Sequence, residues 1–367
     1  MKSQLKISYE EIISLENLFT AWQEFLPGKK KKQDVQEFGL RLTDNILQLQ
    51  DELANFSYVH GHYKAFNISD PKPRNIHKAS VRDRVLHHAI YRKLYPFFDR
   101  IFIADSYSCQ IGKGTYKAIK RFEKFGLRVG KNNSRTVWVL KCDIKKFFAS
   151  IDHKMLLEIL ANYISDKDIL WLLRQIIGSF DSPSPGVIPS ATEESLILRS
   201  FGFGCTQPQD DADESENNLK GLPLGNLTSQ LFCNVYMNEF DQFVKHKLKV
   251  RHYVRYADDF VFLSDSKDLL LSLVPKISAF LGELLKLRLH PGKVFIKTLA
   301  SGVDFLGWVN FPHHRVLRKN TGRRMFKRIY SHPTNETLQS YLGLMSHGNT
   351  YGLKQKLLNW YGLLAKH

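Results

Sequence analysis

The sequence predicts a mixed α/β protein, on three observations. Amphipathic helical patterns occupy both ends of the chain and recur through its middle. Two β-rich runs, "TVWVLKCDI" (136–144) and "HYVRYADDFVFLS" (252–264), lie between helical stretches. A third strand-like run, "GVDFLGWVNF", precedes a basic helical end.

In chain order, residues 9–26 form one helix with apolar positions at Ile12, Ile13, Leu15, Leu18 and Phe19. "PGKKKK" is a turn with a basic run, and "VQEFGLRLTDNILQLQDELA" is a second helical pattern. Residues 57–80 are extended, with Pro71 and Pro73 blocking helix. "SVRDRVLHHAIYRKLYPFFDRIF" is an amphipathic helix with arginines on one side. Asp152 is placed to cap the helix "HKMLLEILANYI". Residues 181–219 turn rich in Pro, Gly and acid and are expected to be a loop-like insertion. "SQLFCNVYMNEFDQFVKHKL" and "SLVPKISAFLGELLKL" are helices flanking the second β-rich run. From about residue 312 the chain is basic and helical.

Composition narrows the partners. The chain has 367 residues, enough for several cooperating subdomains around a sizeable core. No apolar run approaches the roughly 18 residues that a membrane span needs. "MKSQLKISYEEIISLENLF" lacks a signal-peptide core, so a cytoplasmic protein is expected. Cys109, Cys142, Cys205 and Cys233 have no zinc-finger or C-x-x-C spacing and are expected to be buried thiols. The 53 Lys and Arg exceed the 36 Asp and Glu, a net charge of +17. Folding does not require that surplus, so it favours a polyanionic partner, with nucleic acid first.

The chemistry-bearing feature is the pair Asp258 and Asp259. Turn residues are often Asp, yet the flanks Tyr253–Tyr256 and Phe260–Leu263 have the pattern of buried strands. Asp143 ends the other β-rich run in the same kind of setting. Buried like charges are costly unless a cation joins them, and hard divalent cations take oxygen ligands. Carboxylates at strand ends sharing two Mg2+ ions suit in-line phosphoryl transfer. That reading requires Asp143 to meet the 258–259 tip in an open site, without a lysine filling it.

Five blocks in order carry a resemblance: "PKPRNIHKASVRDRVLHHAI", "LKCDIKKFFASID", "GLPLGNLTSQLFCNVYMNEFD", "YADD" and "LHPGKVFI", followed by "GVDFLGW". Together they resemble bacterial reverse transcriptases related to group II introns. The resemblance implies a right-hand polymerase fold. It consists of an N-terminal helical extension (1–70), fingers and palm with an antiparallel sheet and helices on one face (71–310), and a helical thumb (311–367). The third block, usually Q-G-x-x-x-S-P, has Leu224 for the Gln and Gln230 for the Pro. In this it is similar to the reverse transcriptases of diversity-generating retroelements, which copy a template RNA with frequent errors. No maturase or endonuclease region is expected, which is in keeping with that. Gln110 stands where such enzymes usually have Arg, which puts a template or nucleotide contact there in question.

The resemblance also implies roles. Asp143, Asp258 and Asp259 are catalytic and, with Ile144, bind the metal, Mg2+ or Mn2+ as a substitute. Lys293 protonates the leaving pyrophosphate, a step typically worth about 10²–10⁴-fold. Arg74 and Lys78, from a basic block that also offers Lys72, Arg82 and Arg84, bind the deoxynucleoside triphosphate together with Phe148, Leu224 and Gly225. Either Phe147 or Phe148 could be the core residue; the resemblance selects Phe148 as the ring that excludes a 2′-hydroxyl. Gln230 and Trp308 contact template and primer, although Phe305 and Trp308 could equally pack beneath the "GVDFLGW" hairpin. The implied partners are template RNA, the cDNA/RNA duplex and a small basic accessory protein. A defence-associated reverse transcriptase and a non-catalytic RNA-binding protein that kept the polymerase fold are the competing readings. Three intact acids argue against the second.

Overall fold

The computed structural model describes residues 3–68, 74–180 and 219–364. All but Leu219 of the insertion expected over 181–219, and also Lys72, lie outside the described residues; Cys205 falls within that stretch. Four short helices open the chain: α1 (Tyr9–Ile13), α2 (Leu15–Phe25), α3 (Gln33–Leu40) and α4 (Leu42–Ala54). One continuous helix was expected over 9–26. Ser14 divides it because its hydroxyl accepts from the Asn17 amide and starts a second helix. α1 has its own capping box, with Ser8 and Glu11 each accepting from the other's main-chain amide.

The hairpin β1 (Lys64–Ile68) and β2 (Arg74–Lys78) follows, then the long α5 (Val81–Ile101) and α6 (Thr115–Val129). Strand β3 (Trp138–Asp143) leads through α7 (Phe147–Ser150) to α8 (His153–Ala161) and α9 (Lys167–Gly178). Asp152 caps α8 as expected, accepting from the Met155 amide at 3.0 Å. Next come α10 (Leu227–Gln242), ending in a π turn at Phe243–Lys247, then β4 (Tyr253–Tyr256) and β5 (Asp259–Ser264). α11 (Lys267–Leu285), β6 (Phe295–Thr298), β7 (Val303–Phe305), β8 (Trp308–Asn310) and β9 (Arg315–Leu317) complete the central part. The last helices are α12 (Lys319–Ser331), α13 (Asn335–Met345) and α14 (Tyr351–Leu364).

The central sheet is antiparallel in the order β4-β5-β3-β6. Alternation along its strands divides the core. Leu140, Cys142, Phe260 and Phe262 face the large core shared with α5, α8, α10 and α11. Val139, Val261 and Leu263 face a smaller one with Phe122 and Phe125 of α6 and Val303 and Phe305 of β7. The main helical layer lies on one face, as expected, but α6 and β7 also cover the second. α2, α3 and α4 pack on α5, and ion pairs fasten α4 and α3 there: Arg82 to Glu52 at 2.6 Å and Arg84 to Asp34 at 2.7 Å.

The C-terminal helices have a core of their own, built from Met325, Ile329, Leu338, Met345 and Leu357. Strand β9 pairs back onto β8, so the helical unit begins at Lys319. It meets the small sheet at Trp308, which is 1% exposed. A Cβ on Gly348 would overlap the Trp308 ring. Gly348→Ala is therefore expected to cost about 1–3 kcal/mol by overpacking, read as a lower denaturant midpoint at unchanged slope.

Candidate active site

Asp143 is the last residue of β3 and lies directly opposite Asp259, the first residue of β5. Asp258 occupies the turn between β4 and β5, next to Ala257, whose φ is +54°. Residues distant in sequence thus meet at one end of the sheet. Burial, and then repulsion from Asp143, raise the Asp258 carboxyl above its usual range. Burial pushes Asp259 up to about 7, against the opposing pull of Lys141.

Lysines enter the cluster. Lys141 Nζ is 3.2 Å from Asp259 Oδ2, and Lys293 Nζ is 2.9 Å from Asp143 Oδ1. The expectation that Asp143 meets the tip is met, but the expectation of a site without a lysine is overturned: Lys141 and Lys293 each neutralise one of the acids. Lys293 was expected here, whereas Lys141 was missed, although the i, i+2 spacing from Asp143 puts both on one face of β3. Two hydrogen bonds set the position of Lys293: His290 N donates to Asp143 O, and Lys145 N to Arg288 O.

A divalent cation fits the donor chemistry. The groups are hard oxygen donors, and Asp259 Oδ1 is buried without a partner. Among the described residues no three His, Cys, Asp or Glu side chains stand close enough together to hold an ion as they are placed. Binding therefore requires the carboxylates to draw together and both lysines to give way, Lys293 from Asp143, which its half-exposed side chain permits, and the more buried Lys141 from Asp259. The Ile144 side chain is a buried hydrocarbon without a donor atom, so only its main-chain carbonyl could serve as a ligand.

The expected nucleotide-binding residues divide. Arg74, at the start of β2, lies near enough to pull the Asp258 carboxyl down. Lys78 does not reach the acids: its Nζ is 2.6 Å from Asp34 of α3, so it fastens the N-terminal helices instead. Phe147 is the core ring, and Phe148 is half-buried beside it, with centroids 5.6 Å apart. Leu224 and Gly225 lie under β2: His77 N donates to Leu224 O at 3.0 Å, and Ile76 leaves little space beside Gly225. The φ of Gly225 is +113°, which explains a glycine there. The helix expected from Ser229 starts two residues earlier, at Leu227, and the Asn226 side chain makes no capping bond.

Gln230 is half-buried in the first turn of α10. Trp308 is corrected: a ring buried against the thumb joint cannot contact primer or template. Cys109 is also corrected, since it is exposed while Cys142 and Cys233 are buried. Gln110 is 7% exposed and donates to Ser106 Oγ at 2.9 Å, so it belongs to the interior and not to a nucleic-acid surface.

Residues 68–309, well over half the chain, match the family described as "Reverse transcriptase (RNA-dependent DNA polymerase)". The chain belongs to the reverse transcriptase family. Among curated proteins, this reverse transcriptase is similar to Protein YkfC of Escherichia coli (strain K12), 24% identical over 322 residues. That match covers 77% of this chain and 73% of that protein. It is also similar to the putative COX1/OXI3 intron 2 protein of Saccharomyces cerevisiae, 21% identical, covering 58% of this chain and 29% of that one. The chain thus spans under a third of that yeast relative. Among solved structures, apo telomerase from Candida tropicalis truncated from the C-terminal domain has a TM-score of 0.42 at 15% identity, covering 73% of this chain and 59% of that one. No described helix is long and apolar enough to cross a membrane.

Proposed function

We propose that the chain is an active RNA-directed DNA polymerase, extending a primer on an RNA template with deoxynucleoside triphosphates. One observation carries the reading: Asp143 and Asp259 stand opposite each other across two strands, with Asp258 in the adjoining turn. Asp143, Asp258 and Asp259, with the Ile144 carbonyl, would hold two Mg2+ ions. When bound, these would activate the primer 3′-hydroxyl and neutralise charge on the transferring phosphate. Arg74 reaches in from the β hairpin to bind the triphosphate. The Phe148 ring excludes a 2′-hydroxyl. Once released from Asp143, Lys293 donates a proton to the departing pyrophosphate. The basic helices α12 and α14 track the duplex backbone. Primer extension on a defined RNA with Mg2+ tests the reading, and absence of cDNA with template and accessory protein supplied would favour a binding role.

Within this activity we assign error-prone synthesis, as in a diversity-generating retroelement, with a small basic accessory protein as partner in the cytoplasm. Leu224 supports it, because selectivity built on a buried polar contact exceeds that of an apolar one, and leucine offers none. Leu224→Gln is expected to lower misincorporation about 3–10-fold, within the range expected for restoring one such contact. Sequencing cDNA made by both enzymes from one RNA checks this; equal error rates would refute the explanation.

A further inference from the structure

Three residues before Asp258, strand β4 buries an arginine completely. The side chains of Arg255 and its partner Asp241 in α10 are both 0% exposed. Every donor of the guanidinium is engaged. Nε lies 2.8 and 3.0 Å from the two Asp241 oxygens. Nη2 donates to Asp241 Oδ2 at 2.6 Å and to Ser106 Oγ at 2.9 Å. Nη1 donates to the Ala257 carbonyl at 3.1 Å and to Asn234 Oδ1 at 3.4 Å. The surroundings lock this fork. Tyr253 Oη donates to Asp241, Gln110 Nε2 to Ser106, and Asn234 Nδ2 to the Ser108 carbonyl. The main chain of Arg255 is fixed too, pairing with Asp105 O and Tyr107 N.

Stability alone does not account for so costly a group. A buried ion pair can often be replaced by apolar residues of similar volume without loss. What an apolar residue cannot do is hold the Ala257 carbonyl. Ala257 adopts a left-handed φ of +54°, which is unfavourable for alanine by roughly 1–2 kcal/mol. The plane of the peptide that follows fixes the starting direction of Asp258.

We propose that Arg255, clamped by Asp241 and Ser106, is the positioning residue for the Ala257–Asp258 turn, holding the Asp258 carboxylate in register with Asp143. It touches no substrate. The role rests on the polymerase reading above. Lysine retains the charge opposite Asp241 but has no planar fork to span Asp241, Ser106 and the turn carbonyl together.

The test compares wild type and Arg255→Lys in primer extension on RNA, with kcat, the KM for the nucleotide, the Mg2+ concentration giving half-maximal rate, and the melting temperature all measured. The expected result is a folded variant with kcat about 10–100-fold lower, as for a small misplacement of a reacting group. The nucleotide KM is unchanged and the half-maximal Mg2+ concentration is raised. A folded variant with wild-type kcat and Mg2+ requirement overturns the proposal. Where Arg255→Lys gives no cooperative melt, Ser106→Ala decides, since it leaves the Asp241 pair intact. A kcat about 3–10-fold lower, in line with one lost hydrogen bond, supports positioning; an unchanged kcat overturns it. Wild type without any product would overturn the polymerase reading and the positioning role together, whereas active wild type beside equally active variants removes the positioning role alone.

Discussion

Asp258→Asn is expected to slow primer extension by at least about 10³-fold while raising the melting temperature. Both effects have one cause. The Asp258 carboxyl is pushed up by burial and by the neighbouring Asp143, so its ionised form is held against a cost to folding. Asparagine has nearly the same shape and no charge. It removes that cost and, with it, the anionic ligand on which phosphoryl transfer depends. Active sites commonly sacrifice stability in this way. Single-turnover extension of a labelled primer and a thermal melt of the same preparation measure the two quantities. An active Asp258→Asn enzyme would dismiss the acids as catalytic groups. An inactive variant that melts lower would make Asp258 a folding residue.

The parts legible in the sequence were those whose signal is local. Asp143, Asp258 and Asp259 stand out because acids interrupt β-branched and aromatic runs, and the Asp152 cap follows from one residue before a helical pattern. Pairings between distant elements left no such trace. Asp241 and Arg255 belong to a helix and a strand whose contact only the fold creates. Lys78 looked like a triphosphate ligand because the basic block carries no mark of direction, and an acid on α3 takes it. Trp308 in "FLGW" reads equally as a primer contact or as core. The turn at Leu306 and Gly307, with φ of +52° and +89°, sends its ring inward against Gly348. The block order conveyed the architecture, but charge and aromatic residues alone did not say which side chains face the nucleic acid.

Acid is expected to destabilise the fold through the joint where His60, α5 and the start of α10 meet. His87 of α5 is 2% exposed, and its Nδ1 lies 2.7 Å from Thr228 Oγ1 at the start of α10. Its Nε2 lies 3.2 Å from His60 Nε2. Asp83, which accepts from Tyr58 Oη and Ser80 Oγ, also faces the pair. Burial, and then the neighbouring His60, lower the His87 imidazole to about 3, and burial lowers His60 as well, against the pull of Asp83. A histidine depressed in the native state binds its proton first in the unfolded chain. Stability is therefore complete above the unfolded value near 6.5 and falls as pH drops from there toward 3. Between neutral pH and pH 5 the loss for His87 alone is about 2 kcal/mol. His88, lowered to about 4 by burial and Lys29, adds to it in the same window. Denaturant unfolding at pH 7.5 and pH 5 measures the slope. His87→Asn keeps a group able to hydrogen-bond Thr228 at the Nδ1 position but cannot titrate, so its stability should change less between the two pH values. Equal slopes for both proteins would show that protonation of His87 does not govern the joint, leaving its neutral contact with Thr228 as a packing feature alone.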